Sequence, residues 1–189
     1  MKKSVNRKGQ VWVETVIYTL IGLAILGIIL AIVKPQIDEM KDKAVVDQSI
    51  ENMLLISEKI DAASVTSGSS RVADVQIKKG KVVVNAQEDY IRYIQEDSRI
   101  EFSEPGVNVP FGRLNVTTTQ KVELYDIAVS LYYYDIDIRF DGDTDKIREF
   151  EAGPTPYKVK IVNKGLTDAT NDLHYDPTKG PRVIIDISY

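Results

Sequence analysis

The sequence predicts an α+β protein, with a long hydrophobic N-terminal helix followed by an antiparallel β-rich globular domain. Three observations predict it. Between Lys8 and Lys34 the only formally charged residue is Glu14. Past Lys34, apolar residues return every three or four positions as far as Ile60 and the helix is expected to close near Ala63, the period of an amphipathic helix. From Val72 onward, short runs rich in valine, isoleucine and tyrosine alternate with turn clusters. A repeat of roughly ten residues of this kind belongs to a sandwich or a strongly curved sheet.

The apolar segment comes first. Val11 to Val33 reads VWVETVIYTLIGLAILGIILAIV. Its uncharged part, Thr15 to Val33, is 19 residues, roughly 28 Å of helix at about 1.5 Å per residue. That is one bilayer core, and it exceeds the apolar region of an ordinary secretory signal peptide. Lys2, Lys3, Arg7 and Lys8 precede the run and Lys34 follows it. The positive-inside tendency then leaves the N-terminus in the cytoplasm and carries the rest of the chain across. Glu14 stands against this background, because a charge in an apolar run costs on the order of 2.5 to 3.5 kcal/mol at mid-membrane and less near the interface. In the first helical turn it also meets the positive end of the helix dipole.

Beyond the apolar run the helix is expected to continue to about Ala63, with Ile37, Met40, Ala44, Val45, Ile50, Met53, Leu54 and Ile60 laying an apolar face on the outer domain. These positions do not hold a clean heptad, which argues against a free coiled coil. Pro35 removes a backbone donor and is expected to kink or locally melt the helix near Ala31. Ser64 to Ser70, SVTSGSS, is a loop.

The strands follow. Val72 to Ile77 and Lys81 to Val84 are expected to form a hairpin around Lys78-Lys79-Gly80. Further strands are expected at 90–94, 100–102, 112–118, 122–129, 131–140, 147–150, 157–162 and 183–188. In 131–140, Tyr134, Ile136, Ile138 and Phe140 alternate with Asp135, Asp137, Arg139 and Asp141. The alternation predicts a buried face and a solvated acidic one.

Candidate chemistry is sparse. The chain has no cysteine, which removes disulfides, thiolate nucleophiles and Cys-based metal sites. The formal net charge is −4, and loss of residues 1–9 with their four basic side chains would make it −8. That balance gives no electrostatic reason to expect nucleic-acid binding. Asp141, Asp143 and Asp145 in DGDTD resemble a calcium loop only in part, and an Asp- and Gly-rich hairpin tip accounts for them. His174 is the only histidine, in a polar loop before the last strand. No nucleophile–base pair, phosphate loop or cofactor motif is present, so no catalytic residue, metal or cofactor is assigned. Asn115-Val116-Thr117 is an N-glycosylation sequon, which makes Asn115 a candidate acceptor.

One motif does carry a family resemblance. Lys8-Gly9-Gln10, with Glu14 at the fifth position after the glycine and then an unbroken apolar helix, resembles the class III signal of type IV pilins and related archaeal filament subunits. Gln10 is more archaeal than bacterial. The resemblance implies cleavage by a membrane prepilin peptidase between Gly9 and Gln10 on the cytoplasmic side, with the helix retained. It implies a lollipop-shaped subunit divided into a leader (1–9), a membrane and filament-core helix (10–34), its amphipathic continuation (35–63), a loop (64–70) and an extracellular β-rich domain (71–189). Implied partners are the peptidase, identical or related subunits, indirectly an assembly platform and its ATPase, and the membrane before assembly. The new α-amino group of Gln10 and the carboxylate of Glu14 would pair between neighbours and offset each other's burial. Two other classes compete: a membrane-anchored β-sandwich binding protein or adhesin that never polymerises and keeps its leader, and a tethered enzyme, for which the residues offer no constellation.

Overall fold

The computed structural model describes residues 7–167 and 177–189, with side chains from Val11 onward; the first six residues and His174 lie outside the described residues. Among the described residues a single α-helix, α1, runs Arg7–Ser64. Ten strands follow: β1 Ser70–Val75, β2 Lys81–Asn85, β3 Tyr90–Ser98, β4 Asn108–Phe111, β5 Leu114–Gln120, β6 Tyr125–Tyr132, β7 Ile136–Phe140, β8 Ile147–Glu151, β9 Tyr157–Leu166 and β10 Val183–Ser188. The architecture is the expected α+β arrangement of a long apolar helix and a β-rich domain.

The chain divides into two compact units, Met1–Lys41 and Asp42–Tyr189. In the first, α1 is helical without a break through Pro35. The local melting expected near Ala31 does not occur, because proline deletes a single donor while the strong helix formers on both sides keep the rest of the ladder. Every residue from Val11 to Ile37 is exposed.

In the second unit, the C-terminal part of α1 buries a stripe of Val46, Ile50, Met53, Ile56, Ile60 and Ala63. Steps of three and four keep these on one face. Met40 and Leu54, counted with that face in the sequence, are exposed, and so is Ile37. The buried stripe thus starts later than the apolar pattern alone indicated, at Asp42 and Val46.

The strands make two sheets. One has the order β1-β9-β10-β7, antiparallel except for the β10–β7 pair, which is parallel; the other has the order β4-β5-β6-β3-β2-β8. Inner faces of both sheets join the helix stripe in one core, with Val75, Ile138, Ile161 and Ile187 from the first sheet and Val84, Ile91, Val129 and Leu131 from the second.

Several expected strands are corrected. β1 pairs with β9 and β2 with β3 and β8, so 72–84 is a crossing between sheets and not a hairpin. Gly80 is still required, since its φ is 77° and a Cβ there would collide with the Ile94 carbonyl oxygen. Residues 100–102 form no strand, although Ile100 and Phe102 pack against the core, while β4 was not anticipated. The run 131–140 is two strands in different sheets, and Tyr134 at the crossing is 87% exposed. The DGDTD segment is a tight turn with positive φ at Asp141 and Gly142, closed by paired backbone bonds between Phe140 and Asp143. It then leads to the other sheet, so it tips no β7–β8 hairpin.

Candidate assembly segment

The sequence-derived site residues Gly9, Gln10 and Glu14 lie on the N-terminal part of α1. Glu14 stands four positions after Gln10, so their backbones are one turn apart on the same face. The Tyr18 hydroxyl donates to Glu14 Oε1 at 3.3 Å. Thr15 Oγ1 donates to the Val11 carbonyl at 2.9 Å, and Thr19 Oγ1 to the Thr15 carbonyl at 2.8 Å. Both threonines thereby satisfy their hydroxyls against their own helix, which leaves the surrounding surface apolar.

That surface is large. Trp12 is 71% exposed and Leu30 66%, and the valines, leucines and isoleucines between them are exposed as well. A soluble monomer rarely leaves so much contiguous apolar area in water. The helix is long and apolar enough to cross a membrane. Gly22 and Gly27 have open space where a Cβ would stand, so each allows close approach of another helix.

Among the described residues, no group of three or more His, Asp or Glu is placed to hold a metal ion. Within DGDTD the carboxylates are used locally: Asp143 Oδ1 accepts from the Asp145 amide, and Asp141 pairs with Lys146 at 3.1 Å. Asn115 lies in β5 and Pro35 inside α1.

The charged residues that organise the second unit were not singled out in the sequence. Asp137, expected on a wet face, is buried. Arg182 Nη2 reaches Asp137 Oδ1 at 2.8 Å and Arg182 Nη1 reaches Asp89 Oδ2 at 2.5 Å, while Arg139 Nε donates to Asp137 Oδ2 at 2.8 Å. Asp89 Oδ1 accepts from the Ile138 amide at 2.9 Å. Burial pushes the Asp89 carboxyl above the ordinary carboxylate range; the Arg182 and Ile138 hydrogen bonds oppose that shift. The cluster ties the turn after β2 to β7 and β10, and so joins the two sheets.

Two further contacts fix the helix. Buried Asp42 accepts from Lys79 Nζ at 2.6 Å and from the Arg99 amide at 2.8 Å. Buried Asn163 on β9 donates to the carbonyls of Ala63 and Ser64, at 2.9 and 3.1 Å, and so caps the end of α1. The only sequence signal for any of these was an acidic or amide residue inside an otherwise regular pattern, which does not distinguish a buried side chain from a solvated one.

No protein-family model, curated protein or solved structure matches this chain.

Proposed function

We propose that this chain is a structural subunit of a type IV pilus-like surface filament. In this reading a prepilin peptidase removes residues 1–9, the apolar helix holds the subunit in the membrane with the β-rich unit outside, and assembly then packs those helices together. The single observation that carries it is the helix surface from Val11 to Val33: apolar, uncovered, and interrupted by one carboxylate at Glu14. Transfer from lipid to a bundle of like helices exchanges one apolar medium for another, so packing and the Gln10–Glu14 charge pairing decide the outcome. Adhesion, attachment or motility would be properties of the filament and not of a catalytic site.

N-terminal sequencing of protein recovered from cells tests the processing step. The mature chain is expected to begin at Gln10, or at its cyclised form. A chain still beginning at Met1 would favour the non-polymerising membrane-anchored binding protein.

A further inference from the structure

We propose that Asn115 is an acceptor for an N-linked glycan on the outer face of the six-stranded sheet. The sequon alone is a weak signal, but the surroundings of this one are selective. In β5, Leu114, Val116 and Thr118 are buried, while Asn115 and Thr117 alternate with them and are half-exposed. Both sequon side chains that a transferase must read therefore share the face turned away from the core. The Asn115 side chain makes no hydrogen bond to any described residue, so its amide nitrogen is not committed to the fold.

The neighbours keep it so. Asn115 stands opposite Ser130 on β6 and Pro110 on β4. The Ser130 hydroxyl is occupied by Arg92 Nε at 2.9 Å. Pro110 lies on the edge strand, whose four residues are all exposed, so one exposed strand is all that stands between Asn115 and that edge of the sheet. Tyr132, two residues beyond Ser130, is the diagonal neighbour of Asn115 on the same face. Its hydroxyl accepts from Arg92 Nη2 at 2.5 Å, and Arg92 itself stacks 4.5 Å over Tyr90. The Tyr132 ring is thereby held in place on the face that carries Asn115, with Arg92 over it at 5.8 Å.

The chemistry is a substitution without redox change. The Asn115 Nδ2 attacks the anomeric carbon of a lipid-phosphate-linked oligosaccharide. The nitrogen–carbon bond forms, the bond from that carbon to the phosphate oxygen breaks with its electron pair leaving on the phosphate, and one Nδ2 proton passes to a base of the transferase. The inference rests on the outward topology of the filament reading, since such donors are used on the far side of the membrane.

The test uses the full chain recovered from the cells that make it. Trypsin cutting after Arg113 and Lys121 yields Leu114–Lys121, which holds the whole sequon. Mass spectrometry should find this peptide carrying added sugar mass on Asn115. Asn115→Gln and Thr117→Ala should abolish the added mass, and Thr117→Ser, which keeps the sequon, should retain it. Because Thr117→Ala and Thr117→Ser alter one half-exposed position, their comparison decides the matter even if Asn115→Gln lowers the yield. Recovery of Leu114–Lys121 in the unmodified form alone would overturn the proposal. N-terminal sequencing of the same sample separates the two readings: an unmodified peptide from a chain starting at Gln10 defeats only the glycan, and a modified peptide from a chain starting at Met1 defeats only the filament subunit.

Discussion

Arg182 is the side chain on which the buried carboxylates of Asp89 and Asp137 converge. It compensates Asp89 and Asp137 at once, and its Nη1 also donates to the Ile136 carbonyl at 3.1 Å. Removing one partner of a buried ion pair costs about 3 to 5 kcal/mol, because the remaining charge stays desolvated. Arg182→Met should therefore destabilise the unit by about that amount at pH 7. The pH dependence has a definite sign. The Asp89 carboxyl is already raised by burial in the folded chain, so the folded state holds that proton more tightly than the unfolded one. Its contribution favours folding at low pH and is lost as pH rises through the folded value. Without Arg182 the shift grows, so the deficit of the variant should shrink between pH 7 and pH 5 even though Lys179 Nζ stands 3.8 Å from Asp89 Oδ2 and Arg139 still pairs with Asp137. Urea titrations of both proteins at the two pH values measure this; an equal deficit at both would refute the assigned charge role. Asn163→Ala tests the cap of α1 separately. It takes the amide donor from the Ser64 carbonyl and one of the donors from the Ala63 carbonyl, which keeps Ser69 Oγ at 2.7 Å, and should cost about 1 to 3 kcal/mol, with faster amide exchange at Thr66 and Gly68, which bond to Ala63 and Asn163. Unchanged stability and exchange would show that water serves those carbonyls equally well.

At the scale of elements, local pattern and long-range pairing were legible to different degrees. The apolar period of α1, the strand runs at 90–94, 147–150 and 183–188, and the turn at Gly80 could be read because each depends on side chains a few residues apart. The pairing could not. Val72 to Val84 has the look of a hairpin, yet β1 and β2 enter different sheets, a choice made by partners such as β9 that lie far along the chain. Asp137 shows the same limit at a single position: alternation placed it outside correctly with respect to the core, but Arg182, 45 residues later, covers it. The helix registered its buried face later than the sequence indicated, because Ile37 and Met40 extend the apolar period without a sheet beneath them. A fragment beginning at Ile37 retains every buried position of α1 and both sheets. It should be soluble, monomeric and folded, as ultracentrifugation and circular dichroism would report. An unfolded fragment, or one that builds long filaments without residues 10–33, would contradict this division of labour.

For the whole molecule, the proposal rests on two parts with different solvents. The unit from Asp42 onward closes its own apolar core, whereas every residue from Val11 to Ile37 is exposed. Lipid would take them out of water, and so would an apolar partner such as other copies of the helix. Glu14 separates these alternatives. Changing it to alanine removes a charge that lipid disfavours, so membrane insertion should be unharmed. In an assembled bundle the same change leaves the Gln10 amine of each subunit without its opposite charge, a penalty of about 3 to 5 kcal/mol for a buried unpaired group. Even part of that penalty, repeated at every subunit, should stop growth. The direct measurement is electron microscopy of sheared surface fractions beside immunoblots of membranes, comparing wild type with Glu14→Ala after confirming that both chains begin at Gln10. The account predicts filaments from the wild type, and from the variant a processed subunit that stays in the membrane without filaments; normal filaments built from processed Glu14→Ala protein would contradict it.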